Sequence, residues 1–451
     1  MTEPRFGRLT DAPATLLITG ARVIDPSAAT DAVRDIAVLD GMLVVDPGAL
    51  PEDLERIDGR GLVVAPGFVD LHAHLREPGS EDAETIESGA RAAAHGGFTT
   101  VCAMPNTDPP LDDVDGVGLV TDRASDAACR VRVIGAVTRG RSGERLTDLE
   151  ALARAGVVGV SDDGSAVTDA VLREAMEALA SLGLPLIEHA EDPSLAAGAV
   201  MRAGAVAVRL GLVGWPPEAE VRVVERDIAM AAQTGARLHL THLSTRGAVE
   251  AVREAKARGV AVTADVTPHH LAFADAWVAG SRRFAWEESD EQAPPAEGAY
   301  DGNCRVNPPL ASREDARALM DGLRDGTIDA IATDHAPHPP ERKLVPFGQA
   351  APGLIGLETA LSIGLAAVEE GRLELPTLLA ALSTRPAAVI GEKRGMTLAS
   401  PADFMAFDLQ ARWRVEPSAL ASRSANTPLL GMELPGVVRL TVADGRVTYR
   451  S

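Results

Sequence analysis

The chain has 451 residues, 46% of them apolar and 24% charged, with a formal net charge of −22. That length and apolar content support a barrel-sized core with an appended module, and they exclude disorder over most of the chain. The negative balance, with no basic face, argues against nucleic acid as a partner, and no apolar run reaches the roughly 20 residues that a membrane span needs.

The opening Met1-Thr2-Glu3-Pro4-Arg5 leads into a strand pattern with no secretory leader, so a cytoplasmic protein is expected. Cys102, Cys129 and Cys304 are scattered without CxxC spacing, which predicts buried, reduced thiols and neither disulfides nor a thiolate metal site. An anionic substrate would need local positive charge in its site, from metal ions and an arginine.

From residue 14 to about 65 the chain reads as short strands: Ala14 to Val23, Arg34 to Val45, and Gly61 to Val64. Residues 66–397 then alternate apolar runs with helix-period segments, the pattern of βα units and a parallel sheet. Eight candidate strands end near His74, Met104, Val137, Ser161, Glu188, His242, Val266 and Thr333. Amphipathic helices are expected at Asp82 to His95, Thr168 to Leu182, Arg246 to Arg258 and Arg313 to Leu323, stopped by Gly96, Gly183, Gly259 and Gly326. A stretch from Ala279 to Asn303, with Glu287-Glu288-Ser289-Asp290-Glu291 and Pro294-Pro295, interrupts this spacing as an exposed insertion. Strand texture returns in Phe404-Met405-Ala406-Phe407-Asp408, Val437 to Val442 and Arg446-Val447-Thr448. The predicted architecture is α/β: a (β/α)8 TIM-type barrel over residues 66–397, with a small composite β-sandwich domain from residues 1–65 and 398–451.

His72 and His74 close the first apolar run. In a strand, side chains at i and i+2 leave the same face about 6–7 Å apart, so both imidazoles can meet one metal ion. Six of the ten histidines fall at or just beyond a predicted strand end, the face where this architecture carries its chemistry. His95 and His239 read as structural, and His269 and His270 as packing or supporting groups. Asp162-Asp163-Gly164 ends strand four and Asp334 ends strand eight. Read alone, the Asp-Asp-Gly is an ordinary turn; with four histidines and Asp334 on the same rim, it becomes a source of carboxylate for a pair of divalent ions.

Met104-Pro105-Asn106-Thr107, Ser161-Asp162-Asp163-Gly164, Glu188-His189-Ala190-Glu191-Asp192, Thr241-His242-Leu243-Ser244-Thr245, Asp265 to His270, Val306-Asn307-Pro308-Pro309-Leu310 and Thr333-Asp334-His335-Ala336-Pro337-His338 join the Gly67 to Pro78 segment in one set. Together they resemble a dihydroorotase of the bacterial class I group, within the amidohydrolase superfamily, from about residue 14 to the C-terminus. The resemblance implies reversible cyclisation of N-carbamoyl-L-aspartate to L-dihydroorotate in pyrimidine synthesis. It implies two Zn2+ per subunit, one held by His72, His74 and Asp334, the other by His189 and His242, with Asp162 bridging. Asp162 is chosen over Asp163 on the family's pattern, in which the first Asp lies 27 residues before the histidine matching His189. Asp334 would carry the proton, and His74, Arg76, Asn106, Asn307, His338, Pro352 and Gly353 would line the substrate site. Ala311 stands where the family commonly has Arg, and the insertion before it is longer than usual.

Relatives acting on other cyclic amides, hydantoinases and allantoinases, commonly bridge their ions with a carbamylated lysine near strand four; this chain has no lysine before Lys256. The alternatives are another cyclic amidohydrolase of that type, or an inactive homologue retained as a partner of aspartate transcarbamoylase. A homodimer and a transcarbamoylase complex both stay open as assemblies.

Overall fold

The computed structural model describes residues 4–48, 50, 54–287, 296–396 and 400–451. The opening Met1 to Glu3, the part of the expected insertion at residues 288–295, and the expected boundary at 397/398 lie outside the described residues.

Eight parallel strands succeed one another around the central sheet in chain order: Phe68–Ala73, Phe98–Ala103, Arg130–Gly135, Gly159–Val160, Pro185–Glu188, Arg237–Leu240, Val262–Val266 and Ala330–Ile331. An isolated parallel bridge between Ala73 and His335 joins the last strand's exit to the first, nearly closing the barrel. Both faces of these strands are covered, which is why they read as continuous apolar runs; every residue of Phe68–Ala73 and Phe98–Ala103 is buried. Val69, Leu71, Cys102, Ile134, Ile187 and Ala330 fill the interior, and the outer helices pack a second apolar layer around them. Cys102, Cys129 and Cys304 are all buried and unpaired.

The helices start where side chains can satisfy their first free amides. Thr85 caps Ile86–His95, Thr245 caps Arg246–Ala257 and Ser312 caps Arg313–Asp325, each accepting from an amide three residues on; such caps contribute about 1 kcal/mol apiece. Asp169–Leu182 ends at Gly183, whose φ of 71° suits a residue without Cβ.

Several strands end one or two residues before the sequence periodicity predicts. His242 and Asp334 take φ of 39° and 46°, so the chain leaves the ladder just where the polar side chains begin. Between the fifth strand and the helix Glu218–Thr234 lies a subsidiary ribbon of Met201–Arg202 and Gly214–Trp215, which the sequence pattern does not announce.

The remaining strands form one nine-stranded mixed sheet drawn from both ends of the chain. Leu62–Pro66 pairs antiparallel with Phe404–Asp408 and parallel with Leu16–Asp25, so the chain's two halves meet just before the first barrel strand begins. Among the described residues, no helix is long and apolar enough to cross a membrane.

Candidate metal centre

The first strand delivers His72 and His74 to the rim, the fifth and sixth deliver His189 and His242, and the fourth and eighth deliver Asp163 and Asp334. His72, His74 and Asp163 form one group, and Asp163, His189 and His242 another, each with ligand atoms all within 4.8 Å of one another. Asp334 Oδ1 lies 3.1 Å from His74 Nε2 and 3.5 Å from His72 Nε2. Arg76, Asp163, His242 and Asp334 all have left-handed backbones, with φ of 61°, 21°, 39° and 46°. For residues with a Cβ this stores on the order of 1–3 kcal/mol each, a pattern that collects at working sites.

The expected bridge at Asp162 needs correction. Its Oδ1 accepts from the amides of Val137 and Thr138 at 2.8 and 3.0 Å, and its Oδ2 from the Thr138 hydroxyl, so the carboxylate is turned into the neighbouring loop. Asp163 stands between the two histidine pairs instead, 3.4 Å from His72 Nε2 and 3.9 Å from His189 Nδ1. Of the two adjacent carboxylates, only that of Asp163, whose φ is 21°, faces the histidines.

Supporting hydrogen bonds fix how each ring is presented. The Thr241 hydroxyl donates to Asp265 at 3.1 Å, so its oxygen is free to accept from His72 Nδ1 at 2.9 Å. That leaves His72 Nε2 facing Asp163 and Asp334, buried and without a hydrogen-bond partner. Asn106 Oδ1 likewise takes the Nδ1 proton of His74 at 2.8 Å, while its Nδ2 donates to Asp163 at 2.9 Å. His242 Nε2 and His189 Nδ1 are 3.0 Å apart. A partnerless buried His72 Nε2 and further ring nitrogens aimed at carboxylates and at each other are what a divalent ion would satisfy, so the donor set fits one.

The electrostatics agree. Burial opposes charge on His72, yet the carboxylates of Asp163, Asp334 and Asp265 outweigh it and raise the ring to about 9. Burial would lift Asp163 and Asp334, but the surrounding imidazoles hold both below the usual carboxylate range. Burial, with His189 and His72 alongside, keeps His242 well below its ordinary value. The cluster is a pocket whose ionised carboxylates favour positive charge beside them.

The expected substrate groups divide around this centre. Arg76 Nε donates to Pro337 O at 3.1 Å and Nη2 lies 3.4 Å from His338 Nε2, and no described carboxylate pairs with this guanidinium. His338 Nε2 reaches Pro352 O at 2.9 Å, and burial with Arg76 beside it lowers the ring to about 3. A Cβ on Gly353 would sit 2.6 Å from that of Ala336, so this backbone approaches as only glycine allows. Asn307 stands on the opposite side, donating to Glu191 at 2.7 Å next to His189.

Three supports are not legible in the sequence as site residues. Asn426, from the far C-terminal segment, accepts from His338 N and donates to Ala336 O and Gly353 O at 3.0, 3.0 and 3.2 Å. Lys343 donates to Ala351 O and Gly353 O at 2.7 Å each. Glu84, fully buried, meets His335 Nε2 at 3.3 Å and receives Arg423 N at 3.0 Å. Only the rarity of lysine offers any hint of one of them. The histidines read as structural do sit in local pairs: His239 lies 2.8 Å from Asp265, His95 lies 2.6 Å from Glu358, and His270 reaches Thr267 and Pro308. His269 is buried with neither ring nitrogen hydrogen-bonded.

Residues 61–248 match a family described as dihydro-orotase-like. The chain is 47% identical over 440 residues to a dihydroorotase of Anaeromyxobacter sp. (strain K), covering 96% of this chain and 98% of that one. It is 43% identical to a dihydroorotase of Syntrophotalea carbinolica, at 96% and 99% coverage. Among solved structures, the L-hydantoinase (dihydropyrimidinase) of Arthrobacter aurescens superposes with a TM-score of 0.81 at 25% identity, over 96% of this chain and 95% of that one. A dihydropyrimidinase of Brevibacillus agri shares the fold at a TM-score of 0.81 and 22% identity, over 97% of this chain and 95% of that one. With such similarity along nearly its whole length, the chain belongs to the dihydroorotase family.

Proposed function

We propose that the chain is a zinc-dependent dihydroorotase that interconverts N-carbamoyl-L-aspartate and L-dihydroorotate, with two ions per subunit. The observation that carries this reading is the convergence of two histidine pairs on Asp163, with Asp334 on the same rim and beside it Arg76, a guanidinium that no described carboxylate pairs with.

His72, His74 and Asp334 would hold one ion, His189 and His242 the other, and Asp163 would bridge. When bound, the ions supply Lewis acidity toward the ring carbonyl and acidify water. Arg76 offers a planar fork for the substrate carboxylate, so the ring is oriented before reaction. Asp334 accepts the proton of the attacking water and returns it to the departing ring nitrogen, and it serves both directions because the reaction is reversible. Asn106 holds His74 and Asp163 in register, and Asn307, His338 and the Pro352-Gly353 backbone close the pocket around the substrate. The absence of any lysine before Lys256 supports an aspartate-bridged enzyme over a hydantoinase-type one. A cytoplasmic setting, and assembly as a homodimer or with aspartate transcarbamoylase, belong to the same proposal; the assemblies are tested by sizing the protein alone and with that partner.

The test is turnover and metal content measured on one preparation, with dihydroorotate assayed beside hydantoin, dihydrouracil and allantoin. Selective hydrolysis of dihydroorotate at two zinc per chain is expected. Preference for a neutral ring would overturn the substrate assignment, and a metal-free, inactive protein would leave the scaffold reading in its place.

A further inference from the structure

The turn that carries Asp163 is gripped from outside the metal centre by one side chain. Arg141 Nε and Nη2 donate to Asp162 O at 3.1 and 2.9 Å, and Nη2 also reaches Asp163 O and, at 3.3 Å, Ser165 Oγ. The grip is returned: Asp162 accepts from Val137 N, Thr138 N and the Thr138 hydroxyl, and that same hydroxyl oxygen receives Gly143 N at 2.9 Å. The loops leaving the third and fourth strands are thus tied in both directions, carboxylate to amides one way and guanidinium to carbonyls the other.

The site has reason to need this. With no lysine at strand four, a bridging group there can only be short, and a short side chain cannot search for its target; its backbone must be placed. The fourth strand is two residues long, Gly159–Val160, so ladder hydrogen bonds anchor little of the turn beyond it. Asp163 also sits at φ 21°, and Arg141 itself at φ 52°, conformations that L-residues hold only when their surroundings impose them. Charge-assisted bonds from a planar fork to two successive carbonyls and a hydroxyl impose such a turn.

We infer that Arg141 is a positioning residue for the bridging carboxylate, holding the 162–165 turn in the left-handed conformation that aims Asp163 between the two histidine pairs. The inference rests on reading Asp163 as a metal ligand, and its test separates the two. Arg141→Met, Arg141→Lys and Asp163→Asn are stripped of metal, and zinc affinity is read by chelator competition, alongside the unfolding midpoint of the stripped protein and kcat and KM after reloading. R141M is expected to bind zinc about 10–100-fold more weakly, the size of effect seen when groups that orient metal ligands are removed. R141K should fall between R141M and the parent, since an ammonium offers no fork. Turnover should fall through kcat with KM held, because Arg141 touches none of the substrate groups, and the stripped midpoints should stay together. Parental zinc affinity in R141M overturns the inference, as does a change confined to the unfolding midpoint. Should R141M not fold, parental affinity in R141K overturns it equally. If D163N keeps parental affinity, the reading of Asp163 fails; if D163N loses zinc while R141M keeps it, only the role given to Arg141 fails.

Discussion

Buried charge gathers at both ends of the barrel, under opposite rules. At the end where the strands enter, Arg130 pairs with Asp403, Arg394 bridges Asp403 and Glu392 at 2.9 Å each, and Arg132 joins Glu392 at 2.7 Å. Cation alternates with anion there, and Asp403 comes from the segment leading into the mixed sheet, so the network fastens barrel to sheet. At the exit end Asp163 and Asp334 share one small volume with four imidazoles, on backbones in left-handed conformations at Asp163, His242 and Asp334. The entry cluster pairs each anion with a guanidinium of the protein, whereas the exit cluster gathers carboxylates and imidazoles that could hold a metal ion. Substitutions at the exit should therefore remove function and leave stability level or higher; at the entry they should do the reverse.

The largest break in that comparison is Asp334→Asn. Turnover is expected to fall by about 10²–10⁴-fold or more, the share of a positioned acid–base, while urea unfolding of the stripped enzyme shows no loss. A D334N enzyme with near-normal dihydroorotate turnover would remove Asp334 as the proton carrier.

Next come the adjacent carboxylates. Asp163→Asn should lose zinc and activity, and chelation should then no longer lower its unfolding midpoint as it does the parent's. Asp162→Asn should keep zinc but lose about 1–3 kcal/mol of stability, because three hydrogen bonds converge on that carboxylate. Metal content and unfolding of the two variants side by side check this, and an exchange of their phenotypes would restore Asp162 as the bridge.

At the entry end, Arg130→Ala should cost roughly 3 kcal/mol or less, with the side chains of Arg130 and Asp403 still 19% and 13% exposed. Turnover per folded molecule should be unchanged. A loss of kcat without a loss of stability would show that the two ends are coupled.

Legibility in the sequence divides along the same line. His72, His74 and Asp334 are legible because apolar runs mark the buried strands and the first polar residues after them mark the rim. The choice between Asp162 and Asp163 is not, since both leave the same short strand and no local pattern says which carboxylate turns toward the histidines, as Asp163 does at φ 21°. The entry pairs Arg130–Asp403 and Arg132–Glu392, Asn426 and Arg141 are invisible for another reason: their partners lie 21 to 273 residues away, and no local pattern encodes such a meeting. The sheet is foreseeable from its strands, but its pairing of Leu62–Pro66 with Phe404–Asp408 is a fact of tertiary structure.

Lys343 gives the gentlest test, because it is an exit-end cation held without a carboxylate. It is 3% exposed, and its ammonium donates to the carbonyls of Arg305, Ala351 and Gly353 at 3.2, 2.7 and 2.7 Å. Burial lowers it from 10.5 to about 7, with Cys304 and Asp301 nearby pulling upward and Arg305 opposing them. Between those two values the unfolded chain binds a proton that the folded chain lacks, so stability should rise with pH across that window, by up to about 1.4 kcal/mol per unit. Below about 7 both states are protonated and this contribution is lost. Urea unfolding at pH 7, 8 and 9 should show the parent gaining on Lys343→Met through the series, and parallel curves would mean the three carbonyls hold the ammonium charged throughout. Arg130→Ala should run parallel to the parent over the same range, because a guanidinium does not titrate there. Two cations at opposite ends of one barrel would then differ in pH response because the guanidinium stays charged across the range while burial depresses the ammonium into it.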